Sequence, residues 1–250
     1  MYLSRLTLDL GDNPDHPRPG RIWLRNLYHV HQRLCMAFPS AYRKIEDPEF
    51  LKPYNPIDFG KEHVHIKRDS VSGFLFRIDP RSQSRALIIV QSASDPDWDY
   101  AFHNASYFLA APPEKKVYNP SITKGQRMRF RLLANPTRRL SKNSPGIKSE
   151  FIGMRVPVPS DRLIEWITRK AESSGFSLEK DSMNIQPDYF FFKKPNVKEG
   201  QRMFSVRFDG ELTVSKPEIF KISIFQGIGS GKAFGLGLLS VSPINGSFER

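Results

Sequence analysis

The chain opens on an alternation of apolar and polar positions. Tyr2, Ser4, Leu6 and Leu8 fall on one side of an extended backbone and Leu3, Arg5 and Thr7 on the other, which predicts a first strand over 2–8. The period then lengthens. Trp23, Leu27, Val30, Leu34 and Phe38 recur at steps of three and four, predicting one helix from about Ile22 to Phe38, stopped by Pro39. Residues 40–70 are polar and proline-rich with little periodicity, and read mainly as loop. Strand patterns return at Gly73–Asp79 and Arg85–Ser92, the second holding the buried-strand run Ala86-Leu-Ile-Ile-Val90. A weaker helical segment near Ala101–Leu109 precedes the Pro112-Pro113 break.

After Asn119-Pro120 the pattern restarts. Met128, Phe130 and Leu132 alternate with Arg127, Arg129 and Arg131, the sharpest alternation in the chain. Residues 136–157 form a basic excursion that returns as a hairpin arm. Ser160 is positioned to cap a helix with Leu163, Ile164, Ile167 and Ala171 inside, ending near Gly175. Strand regions follow at Phe176–Lys193 and Gln201–Ser215. Pro217 opens a helix that runs to about Gln226, and Leu236–Ser242 reads as the last strand. Each half has the β-α-β-β-α-β order of a split βαβ unit. The expected fold is α+β: tandem ferredoxin-like (RRM-like) domains, 1–120 and 121–250.

Composition adds a partner class to this outline. The 250 residues carry a net charge of +12, from 38 Lys+Arg against 26 Asp+Glu, which favours a polyanion: nucleic acid or an anionic membrane surface. No run approaches the ~18 apolar residues of a membrane span, and no basic amphipathic helix stands out, so no membrane partner is expected. The first residues lack a signal-peptide apolar region, and a lone Cys35 fits a reducing, cytoplasmic compartment. Between Lys124 and Arg155, nine basic residues (Lys124, Arg127, Arg129, Arg131, Arg138, Arg139, Lys142, Lys148, Arg155) meet one acid, Glu150. Such a surface tracks phosphates. It lacks the aromatic residues that stack single-stranded bases, so structured RNA held by its backbone suits it better.

Two stretches carry candidate chemistry. In Gly227-Ile-Gly-Ser-Gly-Lys-Ala-Phe-Gly-Leu-Gly237 five glycines (Gly227, Gly229, Gly231, Gly235, Gly237) surround Lys232. The glycines either serve turns and tight strand packing, or bring bare backbone N–H groups and Lys232 to an anion. Neither standard phosphate-loop fingerprint is matched. On the predicted helix, Tyr28 and His31 lie three apart and can face one point. A histidine imidazole titrates near ~6.5 and can move protons at neutral pH, and a tyrosine hydroxyl can assist it. RNA self-cleavage needs only a base for the 2′-hydroxyl and an acid for the leaving 5′-oxygen. The same pair could also simply pack, leaving a non-catalytic RNA-binding subunit. No metal or other cofactor is expected: His29 and His31 point about 200° apart on a helix, and His63-x-His65 has no evident third ligand.

Together these pieces resemble the CasE family of CRISPR repeat-RNA endoribonucleases. The resemblance runs through Met1-Tyr-Leu-Ser-Arg-Leu6, Asn26-Leu-Tyr-His-Val-His-Gln-Arg-Leu34, Leu87-Ile-Ile-Val-Gln-Ser-Ala93, Phe130-Arg-Leu-Leu-Ala-Asn-Pro136 and the glycine stretch to Ser240. It implies metal-independent cleavage at the stem base of a CRISPR repeat stem-loop, leaving a 2′,3′-cyclic phosphate and a 5′-hydroxyl. It also implies retention of the product in a type I-E Cascade complex with other subunits. On this resemblance His31 is the general acid/base and Tyr28 its partner. Arg33, Arg127, Arg129, Arg131, Arg138, Arg139, Lys142, Lys148, Arg155 and Lys232 would contact RNA. Some members place a lysine five residues after the histidine; here Met36 stands there, leaving that role vacant or taken by Arg33, Arg43 or Lys44.

Overall fold

The computed structural model describes residues 1–13, 15–49, 73–142, 148–193 and 198–244. Its chain forms two compact units. The first comprises Met1–Pro120, Phe191–Arg202 and Lys232–Gly235, the second Ser121–Phe190, Met203–Gly231 and Leu236–Arg250.

In the first unit β1 (Tyr2–Asp9) is followed by three short helices, α1 (Pro19–Leu24), α2 (Leu27–Cys35) and α3 (Ala41–Glu46). Then come β2 (Phe74–Pro80), β3 (Arg85–Ser92), α4 (Trp98–Phe102) and β4 (Glu114–Val117). The antiparallel sheet has the order β2-β3-β1-β4, the ferredoxin-like order. Leu6, Leu8, Ile88 and Val90 from the sheet bury against Val30 and Leu34 of α2 and Trp98 and Phe102 of α4.

The single helix expected over 22–38 is in fact two. Pro19 starts α1, and Gly20 brings it onto the end of β1, where an added Cβ would stand 2.0 Å from the Asp9 carbonyl oxygen. The backbone then turns tightly, with Asn26 N–H donating to Trp23 C=O (3.2 Å). Asn26 becomes extended, and its side chain accepts from the Tyr28 N–H to start α2 afresh. Hydrophobic spacing runs through the break because both helices bury the same side, which is why periodicity alone does not reveal it. The expected 101–109 helix is likewise split, into α4 and a 3₁₀ turn at Ser106–Phe108. Part of the loop expected over 40–70 is helical, as α3.

In the second unit β5 (Arg127–Ala134) leads into the two-stranded arm β6 (Thr137–Arg139) and β7 (Arg155–Pro157). After these come α5 (Leu163–Ser173), β8 (Phe176–Leu178), β9 (Asn184–Phe192), β10 (Gln201–Val214), α6 (Pro217–Gln226) and β11 (Leu239–Pro243), the last residues of β9 and the first of β10 belonging to the first unit. The main sheet runs β11-β5-β10-β8, with β9 also on β10. Phe130, Leu132, Phe208 and Leu212 of the sheet, Leu163 and Ile167 of α5 and Phe220 and Ile224 of α6 are all buried, and Phe208 stacks on Trp166 of α5. Ser160 does not cap α5: a 3₁₀ turn over Ser160–Arg162 comes first, and no side chain caps the helix.

Candidate active-site helix and nucleic-acid interface

In the first unit, α2 presents His31 beside an aromatic wall on β2. The imidazole is stacked 5.5 Å from the Phe74 ring and 6.3 Å from Phe76, with Nε2 3.7 Å from the Cys35 Sγ one turn on. Val30 and Leu34, on the neighbouring stripe of the helix, are buried in the same core as Phe76, which holds α2 against the wall. Tyr28 is half-buried on the preceding turn. Its ring lies 6.4 Å from that of His29, and no hydrogen bond joins it to His31 among the described residues.

Asn26 does more than cap. Its Oδ1 also accepts from the Lys193 N–H (3.3 Å), while Nδ2 donates to the Lys193 C=O (3.1 Å) and lies 3.2 Å from His29 Nε2. The carboxamide thus mimics a strand partner and ties the start of α2 to a segment 167 residues away. Sequence reading did not single out Asn26 for this role, though an Asn just before a helical run is a recognised cap signal.

The cations weighed for the role left by Met36 are all engaged. Arg33 Nη1 donates to Ala101 C=O (2.9 Å) and Asn104 Oδ1 (3.1 Å), and burial lowers its guanidinium pKa. Arg43 pairs with Asp47 at 2.9 Å and Lys44 with Asp97 at 2.6 Å. Met36 itself is core, 4% exposed. Arg33 therefore braces α2 against α4, and its expected RNA contact would cost these bonds.

The glycine stretch is divided between the units. All five of its glycines have positive φ. Lys232–Phe234 forms a 3₁₀ turn packed against α2 and β2, with Phe234 4.1 Å from Phe192. Gly235 lets the chain close behind the wall: at φ +78, an added Cβ would meet Phe76 Cε2 at 3.0 Å. Lys232 is exposed, though partial desolvation of its ammonium lowers its pKa. In the second unit Ile228 N–H donates to Gly237 C=O (2.8 Å), and Ser230 bridges Asn135.

The arginine row of β5 is less free than its spacing implies. Strand β10 brings acids opposite it. Arg131 Nε lies 2.6 Å from Asp209 Oδ1, Asp209 also meets Arg207 at 3.0 Å, and Arg127 pairs with Glu211 at 2.9 Å. Arg129 is exposed and joins no ion pair among the described residues. The arm differs. Arg138, Arg139 and Arg155 are exposed, Arg139 sits directly opposite Arg155, and Lys142 and Lys148 are exposed as well. None of these five joins an ion pair among the described residues.

Missed in the sequence was Asn135, whose Nδ2 donates to Phe204 C=O (2.5 Å) and whose Oδ1 accepts from Ser230 Oγ (3.2 Å). It holds the glycine stretch to the end of β5. No group of three or more His, Cys, Asp or Glu able to hold a metal ion occurs among the described residues. His63 and His65 lie outside them. No described helix is long and apolar enough to cross a membrane.

Comparison with known proteins follows the whole chain. The profile of a family described as "CRISPR associated protein" matches residues 1–243. The CRISPR-associated endoribonuclease Cse3 of Thermus thermophilus is 31% identical over 253 residues, covering 97% of this chain and 100% of the relative. The Cascade subunit CasE of Escherichia coli is 25% identical over 248 residues, covering 98% and 100%. A solved structure of the endoribonuclease Cse3 bound to 19-nt RNA matches with a TM-score of 0.69 at 29% identity, over 97% of this chain and 100% of that one.

Proposed function

Given that the chain belongs to the CasE family of CRISPR-associated endoribonucleases, we propose that it cleaves CRISPR repeat RNA by metal-independent attack of a 2′-hydroxyl and keeps the product within a Cascade-type complex. The observation that carries this reading is His31, a titratable ring held in one orientation on α2 by Phe74, Phe76 and Cys35. A thiol is a weak hydrogen-bond partner, so the Cys35 contact yields readily to an RNA oxygen.

In this reading His31 moves the proton. As base it takes the proton of the 2′-hydroxyl while that oxygen attacks the adjacent phosphorus. As acid it, or Tyr28, gives one to the departing 5′-oxygen, and the products carry a 2′,3′-cyclic phosphate and a 5′-hydroxyl. Charge accumulates on the phosphorus oxygens as the bond breaks and needs a cation. Arg33, Arg43 and Lys44 are held by partners of their own, which leaves Lys232, on the turn against α2, as the group for that role. Arg138, Arg139, Arg155, Lys142 and Lys148 hold the stem by its phosphates.

The test is cleavage of the genome's own repeat RNA in EDTA, with product ends mapped. Cyclic-phosphate ends are expected, with no cut when the nucleotide 5′ of the scissile bond is a deoxynucleotide. Cutting of that deoxy substrate overturns in-line attack, and intact RNA at saturating protein shows a non-catalytic RNA-binding subunit instead.

A further inference from the structure

The second unit contains a pocket that the sequence does not announce. It is lined by Asn135, Thr137, Trp166, Gly229 and Ser230 together with four cations, Arg138, Arg139, Arg155 and Lys170. No carboxylate lines it. None of the four cations joins an ion pair among the described residues, whereas Arg127 and Arg131 on the adjoining strand each have one. Arg139 and Arg155 are cross-strand partners in the β6–β7 register. Like charges directly opposite each other in a sheet are destabilising, so this arrangement costs stability until an anion arrives.

The walls are built rather than loose. Trp166, 3% exposed, is stacked on Phe208 at 5.9 Å, and the Lys170 ammonium stands 5.9 Å from the Trp166 ring centroid. That contact steadies the ammonium without neutralising it. Opposite, Ser230 Oγ donates to Asn135, which is fixed in turn by Phe204 C=O. The cavity is about 320 Å³, at the small end for a ligand site, and suits one phosphodiester with its ribose better than the width of a duplex.

We propose that this pocket seats a single backbone phosphate of the bound RNA, with Lys170 and the guanidinium groups of Arg139 and Arg155 on its non-bridging oxygens. Guanidinium forks match such oxygens two at a time, so the pocket fixes the RNA at one linkage while the rest of the arm supplies less selective attraction. The proposal rests on the RNA-cleaving reading above but concerns Lys170, a residue on α5 outside the arm. It gives the arm a register on the stem.

The test uses the full chain and a set of repeat RNAs, each with one uncharged methylphosphonate linkage. At one linkage the modification should weaken binding by roughly tenfold, and Lys170→Gln should abolish that sensitivity while reducing the salt slope of binding by about one. Arg155→Gln should remove the sensitivity at the same linkage, which guards against a folding defect in one variant. Lys116→Gln, on exposed β4, should keep the wild-type pattern. Equal sensitivity at every linkage, or the same sensitive linkage in Lys170→Gln, overturns the pocket while the ribonuclease reading stands. If Lys170→Gln alters only thermal stabilisation by inorganic phosphate and leaves RNA binding intact, the pocket serves a free anion and the proposal fails. If the wild-type protein binds no repeat RNA, both readings fall.

Discussion

The basic residues around α2 and those of the β6–β7 arm look alike in the sequence and differ in what they face. Arg33, Arg43 and Lys44 spend their charge inside the first unit, on a carbonyl, an amide oxygen and two carboxylates. Arg138, Arg139 and Arg155 meet no acid among the described residues, and two of them oppose each other. Charge density is therefore a poor guide to a binding surface, and unneutralised charge a better one. The α2 region keeps its geometry by satisfying its polar groups. The arm leaves its guanidinium groups without an ion pair among the described residues.

If α2 carries the chemistry and the arm the affinity, substitutions should separate into those that change rate and those that change binding. The largest effect is expected for His31→Ala, a fall in single-turnover cleavage of about 10²–10⁴-fold with little change in RNA affinity. A comparable loss of affinity would break the distinction. Arg139→Gln with Arg155→Gln should weaken binding by tenfold or more and reduce the salt slope by about two, read by titration across ionic strength.

Gly235→Ala places a methyl against Phe76 at positive φ and should cost about 1–2 kcal/mol in denaturant unfolding. Because Phe76 backs His31, cleavage should slow as well. Asn26→Ala should cost about 1 kcal/mol through the lost cap. Asn26→Asp keeps the cap oxygen but cannot donate to the Lys193 C=O, so it should restore much of the stability and not the rate. Full recovery of rate in Asn26→Asp would show that the tie to Lys193 has no part in cleavage. Smallest is Arg127→Gln: a largely exposed pair with Glu211 contributes about 0–1 kcal/mol, and RNA affinity should change less than twofold.

Much of the fold was legible because it is local. Strands β1, β3 and β5 show as alternation or as an apolar run, and α6 is bounded as its Pro217 predicts, because backbone period and burial coincide there. The break at Asn26 was not legible, since Trp23 and Val30 bury on either side of it in one core. Nor was the neutralisation of the arginine row, because Asp209 and Glu211 lie about eighty residues further on and arrive only when β10 pairs with β5. His31 could be chosen as a candidate from its type and helix position, whereas the ring wall that orients it comes from β2.

By itself the sequence determined the two ferredoxin-like repeats, the excess of positive charge and the family, since hydrophobic period, net charge and motif are properties of residues and their order. The tertiary structure decided which cations remain unpaired and that the chain near Lys193 and Lys232 belongs with α2. It also decided that Lys170 shares a pocket with the arm. These are contacts between distant segments, and no local preference encodes them. They follow from burying both apolar faces at once, which fixes which polar groups are left to meet one another or an RNA.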